Sequence, residues 1–566
     1  MIHLERSLPR ASFVPFAVRR LAAPRVMWTN PRHCEVADPA SLAYCIPAPD
    51  EAESSYAAGE RIALGERYGG GVANGGGVRC GLLDGLSIKG IGKNPLAGDA
   101  ADFWHSHGGS SMEEGLREAI WGEICADVLP LGGTRVHAII DAGTEIPYDS
   151  PAGPRRARRT LIVRDAVLRP AHFMRAIHFR TRHPDMAVQP SDASRTEQAI
   201  RRLPQSLASA LALPEGGSEL ERLNLALLSM AGRMALQMAA ARAARIMHGA
   251  INSQNIGLDG GWLDFGTVSA VSDYGRIIIA RHSSDFLNDH APLASMFGDL
   301  SHYLRRYLPQ PLRDGVVGAA QLASTFSQTF EQRVAVEFVK LSGIPEELLA
   351  QVDPALLADF HAALVRIAGH GLREPFKLSP DHEPAMPARM GAFHLNTVLA
   401  IAAGAADAAR MDAALRAELP HAGERARFVA AQLALRHACE QGLAPGRRGA
   451  ARLFFALNAA RLNSPLASLY RPNLDAAVAA ALAAQSPFGP FIETLAAEAR
   501  ARRAAPRGGV LDLAAWAGPG WAVSLADGVL RDGAAASPEA CIESLATGLL
   551  YAVRREELEL LCRTPS

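Results

Sequence analysis

The chain has no excess of either charge: Lys and Arg total 58, as do Asp and Glu, so the formal net charge is zero. A nucleic-acid coat or a polybasic membrane binder would be more basic. No window approaches about 18 consecutive apolar residues, so no membrane-spanning helix is expected. The Arg-rich segment from Met1 to Met27 lacks the apolar stretch of a secretory signal. Glu5 and the lack of an amphipathic stripe weigh against a transit peptide. Cysteine is sparse: the seven positions, Cys34, Cys45, Cys80, Cys125, Cys439, Cys541 and Cys562, are scattered and include no C-x-x-C. That excludes a disulfide framework and a zinc ribbon, and makes a reducing cytoplasm the simplest compartment.

The 566 residues are 49% apolar and 20% charged, close to a soluble globular average, which rules out global disorder and a fibrous protein. At roughly 150 residues per domain, about three or four units are expected. Gly is concentrated around 65–110, Arg with short apolar runs around 155–182, and Ala, Leu and Arg around 200–250 and 345–505. Ala and Leu favour helix, so the last two stretches read as helical. Gly85-Leu-Ser-Ile-Lys-Gly90 reads as a strand ending in a turn. Ser110 to Val128 reads as a helix capped by Ser110 or Ser111, with Glu113 and Glu114 in its first turn. Val136 to Ile140 and Thr160 to Val163 read as strands, with Ala166 to Leu168 continuing the sheet, and Pro147 to Arg159 as a loop. A long apolar helix from Glu219 to Met247 precedes a loop, Ile251 to Gly261, and a short strand at Trp262 to Gly266. Met230, Met234 and Met238 lie at helical spacing and read as core. Three units follow: a mixed lobe at 1–190 with a Gly-rich loop, a helical lobe at 191–345, and a helical extension at 346–566.

Several polar features occur in an informative order. The Gly-rich run Tyr68 to Gly81 could bring backbone N–H groups against phosphate oxygens, although alone it reads more readily as a flexible surface loop. Lys89 follows on the strand, then Glu118 on the helix. A strand Lys paired with a helix Glu is the device that holds ATP phosphates in kinases. Further on, His248 precedes Asn255 by the seven residues that separate His and Asn in the kinase catalytic loop, and Asp264-Phe265-Gly266 is a literal D-F-G. Asn255 and Asp264 are oxygen ligands suited to Mg²⁺. The kinase base would fall at Ala250, which argues against an ordinary protein kinase.

With these motifs in order, the chain resembles the selenoprotein O family of protein adenylyltransferases, pseudokinases that move AMP from ATP to a protein hydroxyl. The resemblance rests on Tyr68-Gly-Gly with Gly77-Val-Arg79, Ile88-Lys-Gly-Ile-Gly-Lys-Asn-Pro95, Leu116-Arg-Glu118 with Glu123, Leu168-Arg-Pro-Ala-His-Phe-Met-Arg175, His248 to Asn255, Leu263-Asp-Phe-Gly266 and His282-Ser-Ser-Asp285. It spans about Tyr68 to Leu304. It implies an α+β, protein-kinase-like (pseudokinase) two-lobed fold with a largely helical C-terminal extension. It also implies ATP and Mg²⁺ as cofactors and a protein or peptide acceptor, with no nucleic acid. In that scheme Lys89 pairs with Glu118 and meets the phosphates. Arg169 and Arg175 clamp the terminal phosphates through their planar forks. Gly76, Arg79 and Gly108 line the nucleotide, and Asn255 and Asp264 ligate Mg²⁺. ATP sits flipped relative to kinases, with pyrophosphate as leaving group.

The chain departs from the family where the base is concerned. The Asp that precedes the metal Asn in the family is Gln254 here, which cannot take a proton, and His107 replaces an Asp before the helix. Either another base serves, with His107, Asp259 and the substrate itself as candidates, or the protein is an ATP-binding pseudoenzyme that recognises a partner or serves peptide maturation. In the Arg-rich segment only Arg169 and Arg175 read as phosphate-facing, with a nucleic-acid patch as the rival reading. Cys562 reads as an ordinary thiol, and Trp104-His-Ser-His107 as a polar loop.

Overall fold

The computed structural model describes residues 4–503 apart from 71–72, 102–106, 151–152, 215, 272–273, 275–276, 279–284, 370–375, 378–394, 406, 444–450, 452–454, 456–457 and 460–461; beyond 503 it describes 514–518, 521–524 and 530–531. Cys541, Cys562, Trp104 to Ser106 and His282 to Ser284 lie outside the described residues.

The chain is α+β. Its first part is built on an antiparallel sheet of eight strands: β1 (Phe13–Leu21), β2 (Arg25–Thr29), β3 (Tyr44–Cys45), β4 (Tyr56–Glu66), β5 (Cys80–Leu83), β6 (Leu86–Lys89), β7 (Val136–Ser150) and β8 (Gly153–Arg164), in the order β2-β7-β8-β6-β5-β4-β1-β3. Side chains alternate between the two faces. Ile139 of β7 and Ile162 of β8 join Leu116, Ile120 and Ile124 of helix α1 (Met112–Val128) in one core. Ala138, Ile140, Leu161 and Val163 turn the other way, toward Phe16, Val18, Leu42 and Tyr44.

The strand expected at Gly85 to Gly90 is β6, and it forms a hairpin with β5 through Asp84 and Gly85, both at positive φ. The expected helix is α1. Ser111 is its cap: its Oγ accepts the Glu114 N–H at 3.3 Å.

Three readings of the sequence are corrected. Pro147 to Arg159 is not a loop but the outer half of the β7–β8 hairpin, with Pro147 opposite Arg156. Pro147 lies beyond the stretch that pairs with β2, where a missing N–H is tolerated. The arginines there take acidic partners, Arg155 with Glu113 at 2.7 Å and Arg156 with Asp50 at 3.0 Å. Ala166 to Leu168 does not continue the sheet. Trp262 to Gly266 is not a strand. Trp262 makes only isolated bridges to Gly133 and Ile256, and Asp264 then takes a left-handed conformation (φ +61°) before a 3-10 turn at Phe265–Thr267.

Helices follow the sheet: α2 (Asp192–Ala210), α3 (Glu219–Ala244), α4 (Pro292–Tyr307), α5 (Ala319–Lys340), α6 (Pro354–Ala368), α7 (Leu395–Gly404), α8 (Ala422–Gln441), α9 (Arg471–Ala483) and α10 (Phe488–Arg503). The long helix α3 stops at Ala244 rather than Met247 because Arg245 adopts a left-handed cap (φ +58°). Ile246–Met247 (β9) then pairs with Ser269–Ala270 (β10), so the segment from His248 to Val268 is a closed loop between two short strands. Met230, Met234 and Met238 are buried, as their spacing implied. Helices α6 to α8 share a second core with Phe360, Leu364, Leu399 and Phe428. Helices α9 and α10 come back to α1: Asp475 binds Arg117 at 2.9 Å and Arg500 binds Asp127 at 2.8 Å. Among the described residues no helix is long and apolar enough to cross a membrane, and the five cysteines are free thiols.

Because Ser111 satisfies one of the orphan N–H groups at the start of α1, Ser111→Ala is expected to lower folding stability by about 1 kcal/mol. Urea denaturation of the two proteins measures this. An unchanged midpoint would show that the cap carries no weight.

Candidate functional site

The site is a charge cluster assembled from β6, α1, β8 and the turn at Asp264. Lys89 ends β6 and faces α1. Its side chain is 3% exposed, so its ammonium must be compensated locally. It binds Glu118, meets Glu114 Oε1 at 2.7 Å and Asp264 Oδ1 at 3.2 Å. Glu114 and Glu118 are four residues apart on one helical face, which is why both reach the same cation. Arg79 binds Glu114 with both terminal nitrogens, at 2.7 and 2.9 Å, and also donates to the Gly109 carbonyl at 3.3 Å. Arg164, the last residue of β8, donates to Glu118 Oε2 at 2.6 Å and reaches Cys80 Sγ at 3.7 Å.

Three cations therefore face three carboxylates. Burial alone would lower the pKa of Lys89, but Asp264, Glu114 and Glu118 outweigh it and raise the value, so the ammonium stays charged. Burial favours protonation of Glu114, yet Arg79 and Lys89 pull its carboxyl down to about 2. Lys89 beside Asp264 holds that carboxyl well below the usual carboxylate range.

Asp264 is 42% exposed in its side chain, and among the described residues Lys89 is its hydrogen-bond partner. Asn255 lies close by, because its carbonyl accepts the Leu263 N–H at 3.2 Å. Its side-chain amide donates to the Ala250 carbonyl at 2.9 Å, which leaves its oxygen as a donor atom for a hard cation. Asn255 and Asp264 thus offer oxygen atoms of the type that a hard cation such as Mg²⁺ takes. The group Glu114, Glu118 and Asp264 has metal-ligand spacing, but its carboxylates are already matched by Lys89, Arg79 and Arg164.

The remaining expected residues are distributed as follows. Arg169 is buried beside the Gly-rich segment. It donates to the Gln254 carbonyl at 3.1 Å and lies over the Tyr68 ring with its guanidinium carbon 5.0 Å from the centroid. Arg175 is held by Asp192 at 3.5 Å, and among the described residues no contact joins it to the Lys89 cluster. Gly76 (φ +153°) and Gly108 (φ +71°) are required by backbone packing: a Cβ would fall 1.9 Å from the Glu66 carbonyl oxygen in the first case and 1.9 Å from the Lys93 nitrogen in the second. Gln254 donates its amide N–H to the Gly69 carbonyl at 2.9 Å, so it stitches the Gly-rich segment to the His248–Asn255 loop. His107 accepts the Gly109 N–H at 3.0 Å, next to the carbonyl that Arg79 binds. Asp259 closes its own turn by accepting the Gly261 N–H on Oδ1 at 3.1 Å, and its backbone carbonyl accepts from Arg233 Nε at 2.8 Å.

Sequence reasoning missed four participants. Glu114 was legible as the residue one helical turn before Glu118 but read as a helix-dipole partner. Arg164 was hidden within an Arg-rich run. Arg471, from α9, donates its guanidinium to the Gly266 carbonyl of the D-F-G turn and its backbone N–H to Ser269 Oγ at 2.9 Å; nothing local marks it. Asp289 is buried and accepts the His248 and Gly249 N–H groups at 2.8 and 3.0 Å. It fixes the loop from below, while His248 Nε2 meets the Leu263 carbonyl at 3.0 Å.

No family model matches the chain, and no curated protein matches it.

Burial pushes the Asp289 carboxyl up to about 6 and the His248 imidazole down to about 4. The signs oppose. A raised carboxylate pKa gives up stability as pH rises from about 4 to about 6, whereas a lowered imidazole pKa loses stability as pH falls from about 6.5 to about 4. Asp289→Asn removes the first contribution only. Its stability is expected to fall more steeply on acidification from pH 6.5 to 4, by about 2–3 kcal/mol more than the wild type. Denaturation curves across that range test it, and parallel profiles would contradict it.

Proposed function

We propose that the chain is a kinase-like, ATP- and Mg²⁺-dependent adenylyltransferase that moves AMP to a hydroxyl of a protein or peptide, a divergent relative of the selenoprotein O family. The observation that carries this reading is Lys89. It is a strand lysine held at once by a helix glutamate, Glu118, and by the aspartate of a D-F-G turn, Asp264. These are the three elements that kinases use to hold nucleotide phosphates. Lys89 and Arg79 supply positive charge for the phosphates. Arg169, over Tyr68, extends that charge along the Gly-rich segment. Asn255 and Asp264 supply the oxygen ligands for Mg²⁺, which would neutralise charge developing on the phosphate oxygens.

In the reaction an acceptor hydroxyl oxygen attacks the α-phosphorus, the bond from that phosphorus to the bridging oxygen breaks, and pyrophosphate leaves. The hydroxyl proton needs an acceptor. Gln254 cannot serve, and its amide is committed to Gly69. His107, Asp259 and the substrate itself are the candidates; His107 Nδ1 accepts the Gly109 N–H next to the carbonyl that Arg79 binds, and Asp259 Oδ1 accepts the Gly261 N–H, so either side chain would have to release a backbone N–H to take the proton. A base contributes about 10²–10⁴ in rate, so transfer without an aspartate there is expected to be slow. Gln254 also supports a second reading, an ATP-binding pseudoenzyme that recognises a partner.

The test is incubation with Mg²⁺ and ATP labelled at the α- or the γ-phosphate, alongside Asp264→Ala. Label entering protein from the α-position only, and lost in Asp264→Ala, is the expected result. No label with ATP binding intact favours the pseudoenzyme. Label from the γ-position alone would overturn adenylyl transfer.

A further inference from the structure

A second cluster of ligating side chains lies apart from Lys89 and shares no residue with it. His33 sits on the loop after β2, His137 on β7, and Asp165 just past the end of β8. His33 Nε2 is 2.9 Å from Asp165 Oδ2, and His137 Nε2 is 3.1 Å from Asp165 Oδ1. The three ligand atoms all lie within 4.8 Å of one another. The two imidazole rings stand with centroids 4.7 Å apart. Such a convergence joins three segments distant in sequence.

We propose that His33, His137 and Asp165 form a binding site for one borderline divalent metal ion of the Zn²⁺ class. Two imidazole nitrogens and one carboxylate oxygen suit zinc and its late first-row neighbours rather than Mg²⁺ or Ca²⁺, which take oxygen ligands. Zinc bonds of about 2.0–2.2 Å in tetrahedral geometry place ligand atoms roughly 3.3 Å apart; the two imidazole nitrogens already approach the carboxylate that closely, each on a different oxygen, and the three ligand atoms lie within 4.8 Å of one another, so binding would draw the two histidines together around one carboxylate oxygen. His137 is fully buried, while the His33 and Asp165 side chains are 25% and 26% exposed. The site is thus closed on one side and open on the other, where water would fill the fourth position.

The surroundings are pre-built. Asn30 anchors the loop: its N–H binds the His137 carbonyl at 2.8 Å and its side-chain amide binds Glu123 at 2.7 Å. Asp165 Oδ2 also accepts the Arg135 N–H at 3.2 Å, which orients the carboxylate. The neighbouring cations are already matched, Arg135 by Glu123 and Arg32 by Asp127. No net positive charge from them opposes a dication. A metal on Nε2 of each ring requires the ring proton to sit on Nδ1. His137 then gives up the long 3.4 Å bond from the Glu35 N–H. The metal would clip the loop after β2 to the sheet.

The proposal stands independently of the nucleotide reading. The full-length protein, stripped with a chelator, is titrated with Co²⁺ and with Zn²⁺. One metal per chain is expected, with the intense visible d–d bands of tetrahedral Co²⁺ and their loss on adding Zn²⁺. His33→Ala, on the half-exposed loop, and Asp165→Asn should each weaken binding by at least about 10–100-fold, the cost of even an indirect change at such sites. Asp264→Ala should leave it unchanged. Wild-type protein that takes up no Co²⁺ or Zn²⁺, or binding unaltered in His33→Ala, would overturn the site and leave a hydrogen-bonded His–Asp–His network.

Discussion

The structure depends on neutralising one buried ammonium. Lys89 is almost wholly buried, with a 3% exposed side chain, and an unpaired charge there would cost several kcal/mol. Glu114, Glu118 and Asp264 supply three negative charges around it, and Arg79 and Arg164 complete the balance. The neutral sum requires a strand, a helix and a left-handed turn to arrive together. None of the three segments can move alone without stranding a charge, so the cluster couples the sheet to the helical part of the chain.

Other contacts serve that requirement. Helices α9 and α10 lean on α1 through Asp475 and Arg500, and Arg471 ties α9 to the D-F-G turn. The helix that carries Glu118 and the turn that carries Asp264 are therefore held by the same late segment of the chain. Asp289 fixes the start of the His248–Asn255 loop from within the helical core, and Gln254 joins the end of that loop to the Gly-rich segment. Gln254 thus has a positive structural account. A side chain that bridges two loops by an amide hydrogen bond does different work from one that accepts a proton.

Much of the frame was legible because it is written in local patterns. Ser110 or Ser111, followed by Glu113 and Glu114, marked the start of α1, short apolar runs marked parts of β7 and β8, and methionines at helical spacing marked the core of α3. The Lys89–Glu118 pair was legible from residue type and order. What failed had non-local causes. The Arg-rich stretch 155–159 reads as a loop until Glu113, Asp50 and the facing strand are placed beside it. Trp262 to Gly266 has strand composition, but Gly133 and Ile256 offer it only single bridges. Asp289 and Arg471 carry no motif, and only folding brings them to the site. Gly76 and Gly108 carried a nucleotide reading, and the structure gives them a packing reason of their own.

The central claim is that the balanced cluster around Lys89 is a phosphate-binding cradle. Calorimetric titration with ATP, with and without Mg²⁺, tests it most directly, using wild-type protein and a Lys89→Met variant shown by circular dichroism to be folded. The account predicts ATP binding that Mg²⁺ strengthens and that Lys89→Met weakens at least tenfold, a difference of about 1.4 kcal/mol or more. Wild-type protein that binds no ATP, or equal binding by the folded variant, would contradict it.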